Sequence, residues 1–169
     1  MAASAPYKHF ADKTALMTAV AEIALERLLE HMDLAMRDAP ASPLAQFRAS
    51  GIAYVLFAAR NPAQFRVLHD PEYTRADASE LLAAHMARNR DMITTVLGTA
   101  SASGELNAGL EPSLIELTAS TLMYGLARRV VDGQFDEELS IEQIERLAEL
   151  MTEVMGAGIA NISMAHSPE

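Results

Sequence analysis

The residues of this chain that could do chemistry do not form a recognisable catalytic or metal-binding pattern. Its histidines are scattered along the sequence: His9, His31, His69, His85 and His166. No glutamate is followed by histidine three residues later, and His-Glu-x-x-His and glycine-rich phosphate loops are also missing. Cysteine is absent, which excludes thiolate nucleophiles and zinc–thiolate sites. The sequence therefore predicts no enzyme, no metal site and no cofactor.

A second group of residues has the character of a pocket for an apolar small molecule. Aromatic and methionine side chains recur on four successive predicted helices, and methionine adapts to irregular cavities. Taken singly, each of these side chains fits a core position better than a ligand contact. The polar groups available to orient a ligand belong to Tyr54, His69, Arg88, Arg90, Tyr124 and Arg128. The candidate ligand contacts are Tyr54, Phe57, Phe65, Leu68, His69, Met86, Met123, Tyr124 and Arg128.

The composition predicts one all-α domain. The chain has 169 residues, of which 50% are hydrophobic and 5% aromatic, and its apolar residues are mainly unbranched. Such side chains lose little rotamer freedom in a helix, and no stretch alternates with the period of a strand. No apolar run reaches the roughly 18 residues of a membrane span, and no signal-peptide core is present. We expect a cytoplasmic protein with no membrane partner.

The net charge of −10 is concentrated in the last third of the chain. Residues 100–169 carry three basic and twelve acidic side chains, whereas residues 1–60 carry six of each. Binding to duplex DNA depends on neutralising its phosphates. The chain by itself is therefore predicted to bind DNA poorly.

Capping and proline signals divide the chain into about six helices. Asp12 and Ser42 are typical N-cap residues, and Ser140 with Gln143 three residues later makes a capping box. The predicted helices cover residues 13–37, 43–60, 62–68, 73–97, 112–131 and 140–165. A flexible linker of small residues is expected at 98–104.

The last predicted helix has the sharpest apolar periodicity, with spacings of three and four residues. This face either completes the protein's own core or packs against a partner. Gly156 and Gly158 each cost roughly 1 kcal/mol against alanine in a helix, which favours the close approach of another backbone. With the preceding helix, the pattern predicts a homodimer held by an intersubunit four-helix bundle. The predicted interface comprises Leu117, Thr121, Ile144, Leu147, Met151, Val154, Met155, Gly158, Ile159 and Ile162.

The N-terminal segment 6–13, Pro-Tyr-Lys-His-Phe-Ala-Asp-Lys, resembles the end of the DNA-reading helix-turn-helix in the tetracycline-repressor (TetR) family. In that family an aromatic-basic-aromatic cluster closes the recognition helix, and an Asp-Lys or Ser-Lys pair opens the next helix. The resemblance implies contacts with DNA phosphates for Tyr7, Lys8, His9 and Lys13. The family places two further helices and most of the recognition helix before this motif. We therefore expect residues 1–11 to be a remnant of the head, and residues 12–169 to form the ligand-binding and dimerisation domain.

Two internal stretches resemble one C-terminal subclass of this family, the WHG type. Residues 54–68 are similar to its opening pattern, Tyr-x-x-Phe-Ala, then a helix-ending proline, an aromatic residue, Arg and Leu. Residues 120–127 align with its Trp-x-x-Val-His-Gly-Leu-Ala signature. Here Ser120 stands in place of Trp, Tyr124 stands in place of His, and Gly125 is retained.

The resemblance implies a transcriptional regulator of the repressor type. An effector bound between the middle helices would shift the long first helix and so change the separation of two DNA-reading heads. We expect this chain to keep the sensing and dimerising part, to bind a small, mostly apolar effector, and to need a head for operator DNA. Two alternatives stay open: a stand-alone helical small-molecule-binding or heterodimerising protein without a DNA role, and an enzyme with a non-standard site.

Overall fold

Six helices form the described part of the chain in a computed structural model that describes residues 10–75, 77–107 and 109–162. They are α1 (Lys13–Asp38), α2 (Pro43–Arg60), α3 (Pro62–Leu68), α4 (Glu80–Ala102), α5 (Pro112–Val131) and α6 (Ile141–Ile162). Because these ranges contain no strand, the all-α prediction is confirmed. None of the helices described is long and apolar enough to cross a membrane. The predicted end of the last helix near residue 165 lies outside the described residues.

Local capping chemistry sets three of the helix starts where the sequence predicts them. The Asp12 carboxylate accepts a hydrogen bond from the Ala15 N–H at 2.8 Å. The Ser42 hydroxyl accepts from the N–H three residues further on at 3.2 Å. At the start of α6, Gln143 accepts from the Ser140 N–H at 2.8 Å, and the Ser140 hydroxyl accepts from the Gln143 N–H at 3.3 Å. These bonds satisfy N–H groups that have no partner within the helix.

The prediction that the fourth helix begins at residue 73 is wrong, because α4 begins at Glu80. Its N-cap is Ser79, whose hydroxyl accepts a backbone hydrogen bond at 3.2 Å. The preceding segment turns instead, and it buries Tyr73 to 8% exposure. The Tyr73 carbonyl accepts from the hydroxyl of Thr18 on α1 at 3.3 Å. A tertiary contact, which apolar periodicity does not reveal, thus delays the start of the helix.

The linker predicted at 98–104 is also wrong over most of its length, because α4 continues to Ala102. Ala100 is fully buried and keeps this last turn on the core. Gly104, with a φ of 76°, ends the helix, and the Leu106 N–H returns to the Ala100 carbonyl at 3.3 Å. Glycine adopts this left-handed conformation without the steric cost that a Cβ brings.

Helix α2 lies at the centre of the domain and packs against all five other helices. One apolar cluster joins it to α1, α4 and α5 around Phe47 and Leu97. A second cluster joins it to α3, α5 and α6 around Phe65 and Met123. Burial of a large apolar side chain contributes roughly 1.5–3 kcal/mol. The position of α2 therefore depends on contacts along its whole length.

Candidate functional site

A cavity of about 430 Å³ lies between the helices and is open on one side, with walls from α1, α2, α4, α5 and α6 and from the residue that ends α3. Its apolar wall includes Leu28 and Met32 of α1, Phe47 of α2 and Ile93 of α4. Small-molecule sites in proteins are typically clefts of about 300–1,000 Å³ with a mostly apolar lining. The cavity therefore has the size and character of a site for a small organic molecule.

Four of the candidate ligand contacts line this cavity: Tyr54, His69, Met123 and Tyr124. They come from three separate parts of the chain, namely the C-terminal half of α2, the end of α3 and the middle of α5. The structure thus brings together the residues that define the polar end of the predicted pocket.

His69 and Tyr54 form a hydrogen-bonded pair at the cavity wall. The His69 Nδ1 lies 2.9 Å from the Phe65 carbonyl oxygen, and its Nε2 lies 2.8 Å from the Tyr54 hydroxyl. Since a carbonyl only accepts, Nδ1 carries the proton of the neutral ring, and Nε2 accepts from Tyr54. Burial lowers the pKa of His69; the Phe65 hydrogen bond opposes that shift, and the charge of Arg128 adds to it. Burial, with a smaller effect of Tyr124, raises the pKa of Tyr54 well above its usual value.

Two aromatic rings hold the imidazole of His69 in place. The ring centroid of His69 is 4.2 Å from that of Phe65 and 4.9 Å from that of Tyr124. Phe65 is fully buried, and its ring also meets the Tyr54 ring edge-on at 5.7 Å. Phe65 therefore lies behind the cavity wall and positions the side chains that do line it.

The remaining candidate ligand contacts lie outside the cavity lining. Phe57 is buried in the first apolar cluster, and Leu68 packs against that cluster. Met86 is half-buried on α4. Arg128 forms an ion pair with Asp132 at 2.7 Å. Ligand contact by these four residues stays a prediction.

The sequence did not point to several residues that line the cavity: Arg48, Ser50, Gly51, Asn89, Glu116, Ser120 and Thr152. Gly51 is the residue of this group that the sequence could have indicated, because glycine inside a helix costs about 1 kcal/mol against alanine and therefore often has a packing role. A Cβ at Gly51 would lie 3.3 Å from the Cγ of Met123. Glycine at this position therefore leaves room for Met123 at the cavity wall.

The residues predicted for the dimer interface fall into two groups. The exposed or half-buried ones are Leu117, Thr121, Leu147, Met151 and Val154. Ile144, by contrast, is 4% exposed in the second apolar cluster, and Met155 lines the cavity. Ile144 and Met155 therefore fit the alternative, in which this face of α6 packs inside its own subunit. The predictions for Gly158, Ile159 and Ile162 lie outside the described side chains.

The residues predicted to contact DNA are hardly covered by the structure. Tyr7, Lys8 and His9 lie outside the described residues, and Lys13 is the exposed first residue of α1. In the part of the chain that is described, no three His, Asp or Glu side chains lie together in a way that could hold a metal ion.

The fold and the site define a class of protein: a helical domain with a central helix, a cavity between its helices and two C-terminal helices with apolar exposed faces. A family model described as the tetracyclin repressor-like, C-terminal domain matches residues 47–155, well over half of the chain. The chain therefore belongs to the tetracycline repressor-like family, and the prediction made from its internal motifs is confirmed.

A solved structure shows the same fold. It is described as the structure of a protein with unknown function from Rhodococcus sp. RHA1, and its TM-score is 0.77 at 24% sequence identity. The similarity covers 95% of this chain and 79% of that chain. No curated protein matches the sequence significantly.

Proposed function

We propose that the protein is the effector-sensing and dimerising part of a transcriptional regulator of the repressor type. The observation that carries this proposal is the cavity of about 430 Å³ inside a domain of the tetracycline repressor-like family. Its wall combines apolar side chains with the polar pair of Tyr54 and His69. We propose a small, mostly apolar effector as its occupant.

Helix α1 provides a route from the cavity to a DNA-reading head. Leu25, Leu28 and Met32 of α1 line the cavity, so an effector there touches this helix over two turns. An effector that fits one position of α1 better than another shifts the balance between them. The shift is limited by the difference between its affinities for the two states.

The exposed faces of α5 and α6 support a homodimer. Leu114 and Leu117 on α5 are 53% and 62% exposed, and Leu150 and Val154 on α6 are 40% and 73% exposed. Neighbouring apolar side chains left in water favour association. In a four-helix bundle, two copies related by a two-fold axis would bury these exposed side chains of α5 and α6.

DNA contact is proposed to come from a helix-turn-helix head and not from α1–α6. The segment 100–169, which includes α5 and α6, carries three basic against twelve acidic side chains. Such a surface repels phosphates. The resemblance of residues 6–13 to the end of a recognition helix supports a head placed before α1, with the sensing domain covering residues 12–169.

Native mass spectrometry of the purified chain tests both halves of this proposal. The expected species is a dimer of two 18.3 kDa chains that retains a small-molecule adduct. The matched variant is Ser120→Trp, because Ser120 is exposed at the cavity and the aligned family pattern has Trp there. This variant should remain dimeric and lose the adduct. A bare monomer, or an adduct retained in the variant, would contradict the proposal.

A further inference from the structure

Three hydroxyl groups that line the cavity donate their protons to the protein itself. Ser50, Ser120 and Thr152 each donate to a backbone carbonyl of their own helix, at 2.7, 3.1 and 2.7 Å. A carbonyl has no proton to return, so each of these hydroxyls retains only its lone pairs, and the Thr152 oxygen already accepts from the Arg48 guanidinium. On this part of the wall the hydroxyl groups are therefore hydrogen-bond acceptors.

The Tyr54 hydroxyl has the same polarity. Its proton goes to the Nε2 of His69, because the Nδ1 proton of His69 is held by the Phe65 carbonyl. The Tyr54 oxygen at the cavity therefore also has only lone pairs left to offer. Neither ring nitrogen of His69 keeps a free proton for a ligand.

Asn89 and Glu116 bring an amide and a carboxylate to the lining. The Asn89 Oδ1 has no hydrogen-bond partner in the part of the chain that is described, but it has almost no accessible surface and offers nothing to a ligand in the cavity. Glu116 makes no ion pair with any described side chain. The unpaired Glu116 carboxylate therefore gains from a ligand that brings protons.

Arg48 is the cationic side chain of the lining, and its polar contacts are with α6. Its guanidinium donates to the Thr152 hydroxyl at 3.3 Å and lies 3.9 Å from the Glu153 carboxylate. The hydroxyl donors that remain belong to Thr121 and Tyr124, which are exposed at the edge of the cavity. The wall is thus rich in acceptors and includes the Glu116 carboxylate.

We propose that the cavity takes an apolar molecule that carries a protonated amine, with the ammonium group held by the Glu116 carboxylate. This inference rests on the proposed sensing function and specifies the chemical class of its effector. The cavity volume of about 430 Å³ leaves room for a fused-ring or comparable hydrocarbon body. The chain's net charge of −10 also attracts a cation in preference to an anion.

Three naphthalene compounds that differ in one substituent test the proposal. They are 1-naphthylmethylamine, 1-methylnaphthalene and 1-naphthoic acid, which at neutral pH are a cation, a neutral molecule and an anion. Calorimetric titration of the full chain at pH 7 should give an affinity for the amine at least tenfold higher than for the acid, because charge-assisted hydrogen bonds are the stronger ones. Equal affinities, or a preference for the acid, would overturn the ligand class.

A pair of charge-matched variants separates a local contact from the overall charge. Glu116→Gln should weaken amine binding about tenfold and leave the affinity for 1-methylnaphthalene unchanged. Glu138→Gln removes the same charge at an exposed position away from the cavity, and it should change neither affinity. Equal losses in both variants would refute the contact with Glu116. If the hydrocarbon binds and the amine shows no advantage, the ligand class alone fails; if none of the three binds, the sensing function fails as well.

Discussion

Replacing Tyr54 with phenylalanine removes one hydroxyl from the cavity wall and leaves the aromatic ring in place. That hydroxyl is 2.8 Å from the Nε2 of His69 and is its one hydrogen-bond donor in the described part of the chain. A typical hydrogen bond contributes about 0.5–1.5 kcal/mol, and a buried acceptor left unpaired costs about 1–3 kcal/mol. Because Tyr54 is half-buried, we expect Tyr54→Phe to lower the free energy of unfolding by about 1–2 kcal/mol at pH 7.5.

Urea unfolding followed by far-ultraviolet circular dichroism measures this loss, with the m-value as a check that unfolding stays two-state. Tyr73→Phe is the matched control, because the Tyr73 side chain is buried and its hydroxyl has no hydrogen bond in the described ranges. It should change stability by less than about 0.5 kcal/mol. Combining Tyr54→Phe with His69→Leu should reveal a coupling of about 1 kcal/mol. Absence of coupling, or an equal loss in the control, would refute the account of this pair.

Three further predictions concern pH, helix stability and assembly. Because the folded state favours neutral His69, the unfolding free energy should fall as pH drops through about 6.5. His69→Gln should reduce this dependence of the unfolding free energy on pH. Part of the dependence should persist in the variant, because burial and the charge of Arg60 also lower the pKa of His31. Gly98→Ala should raise the unfolding free energy by about 1 kcal/mol in urea titrations, because Gly98 is exposed inside α4 and an added Cβ meets nothing within 4 Å. Leu117→Glu together with Val154→Glu should convert a dimer to a monomer in sedimentation velocity while the helical circular dichroism signal is kept.

The helix boundaries that the sequence predicts correctly depend on local chemistry. The side chains of Asp12, Ser42 and Ser140 each accept from the N–H three residues further on, so these helix starts can be predicted from the local sequence. The start of α4 could not be predicted in this way. It depends on the burial of Tyr73 and on its contact with Thr18, which lies 55 residues earlier.

The residues of the candidate site also differ in whether a local pattern or a long-range contact determines their position. The sequence predicts Tyr54 and Tyr124 as pocket residues because aromatic residues at helical spacing, together with the family motifs, mark α2 and α5 as the pocket helices. The sequence does not predict Arg48 and Thr152, because they meet across a separation of 104 residues and neither belongs to a local pattern. A polar residue that lines a cavity looks, in the sequence, like any other residue on a solvated helix face.

The central position of α2 has a consequence for synthesis on the ribosome. Its partners α5 and α6 come much later in the chain, and the Thr152 that contacts Arg48 is made 104 residues after it. At a synthesis rate of about 5–20 residues per second, the apolar faces of α2 stay exposed for roughly 5–20 seconds before α6 has been made. Nascent chains that end before α6 should therefore bind chaperones that recognise exposed apolar helices, and release should coincide with emergence of α6 from the exit tunnel.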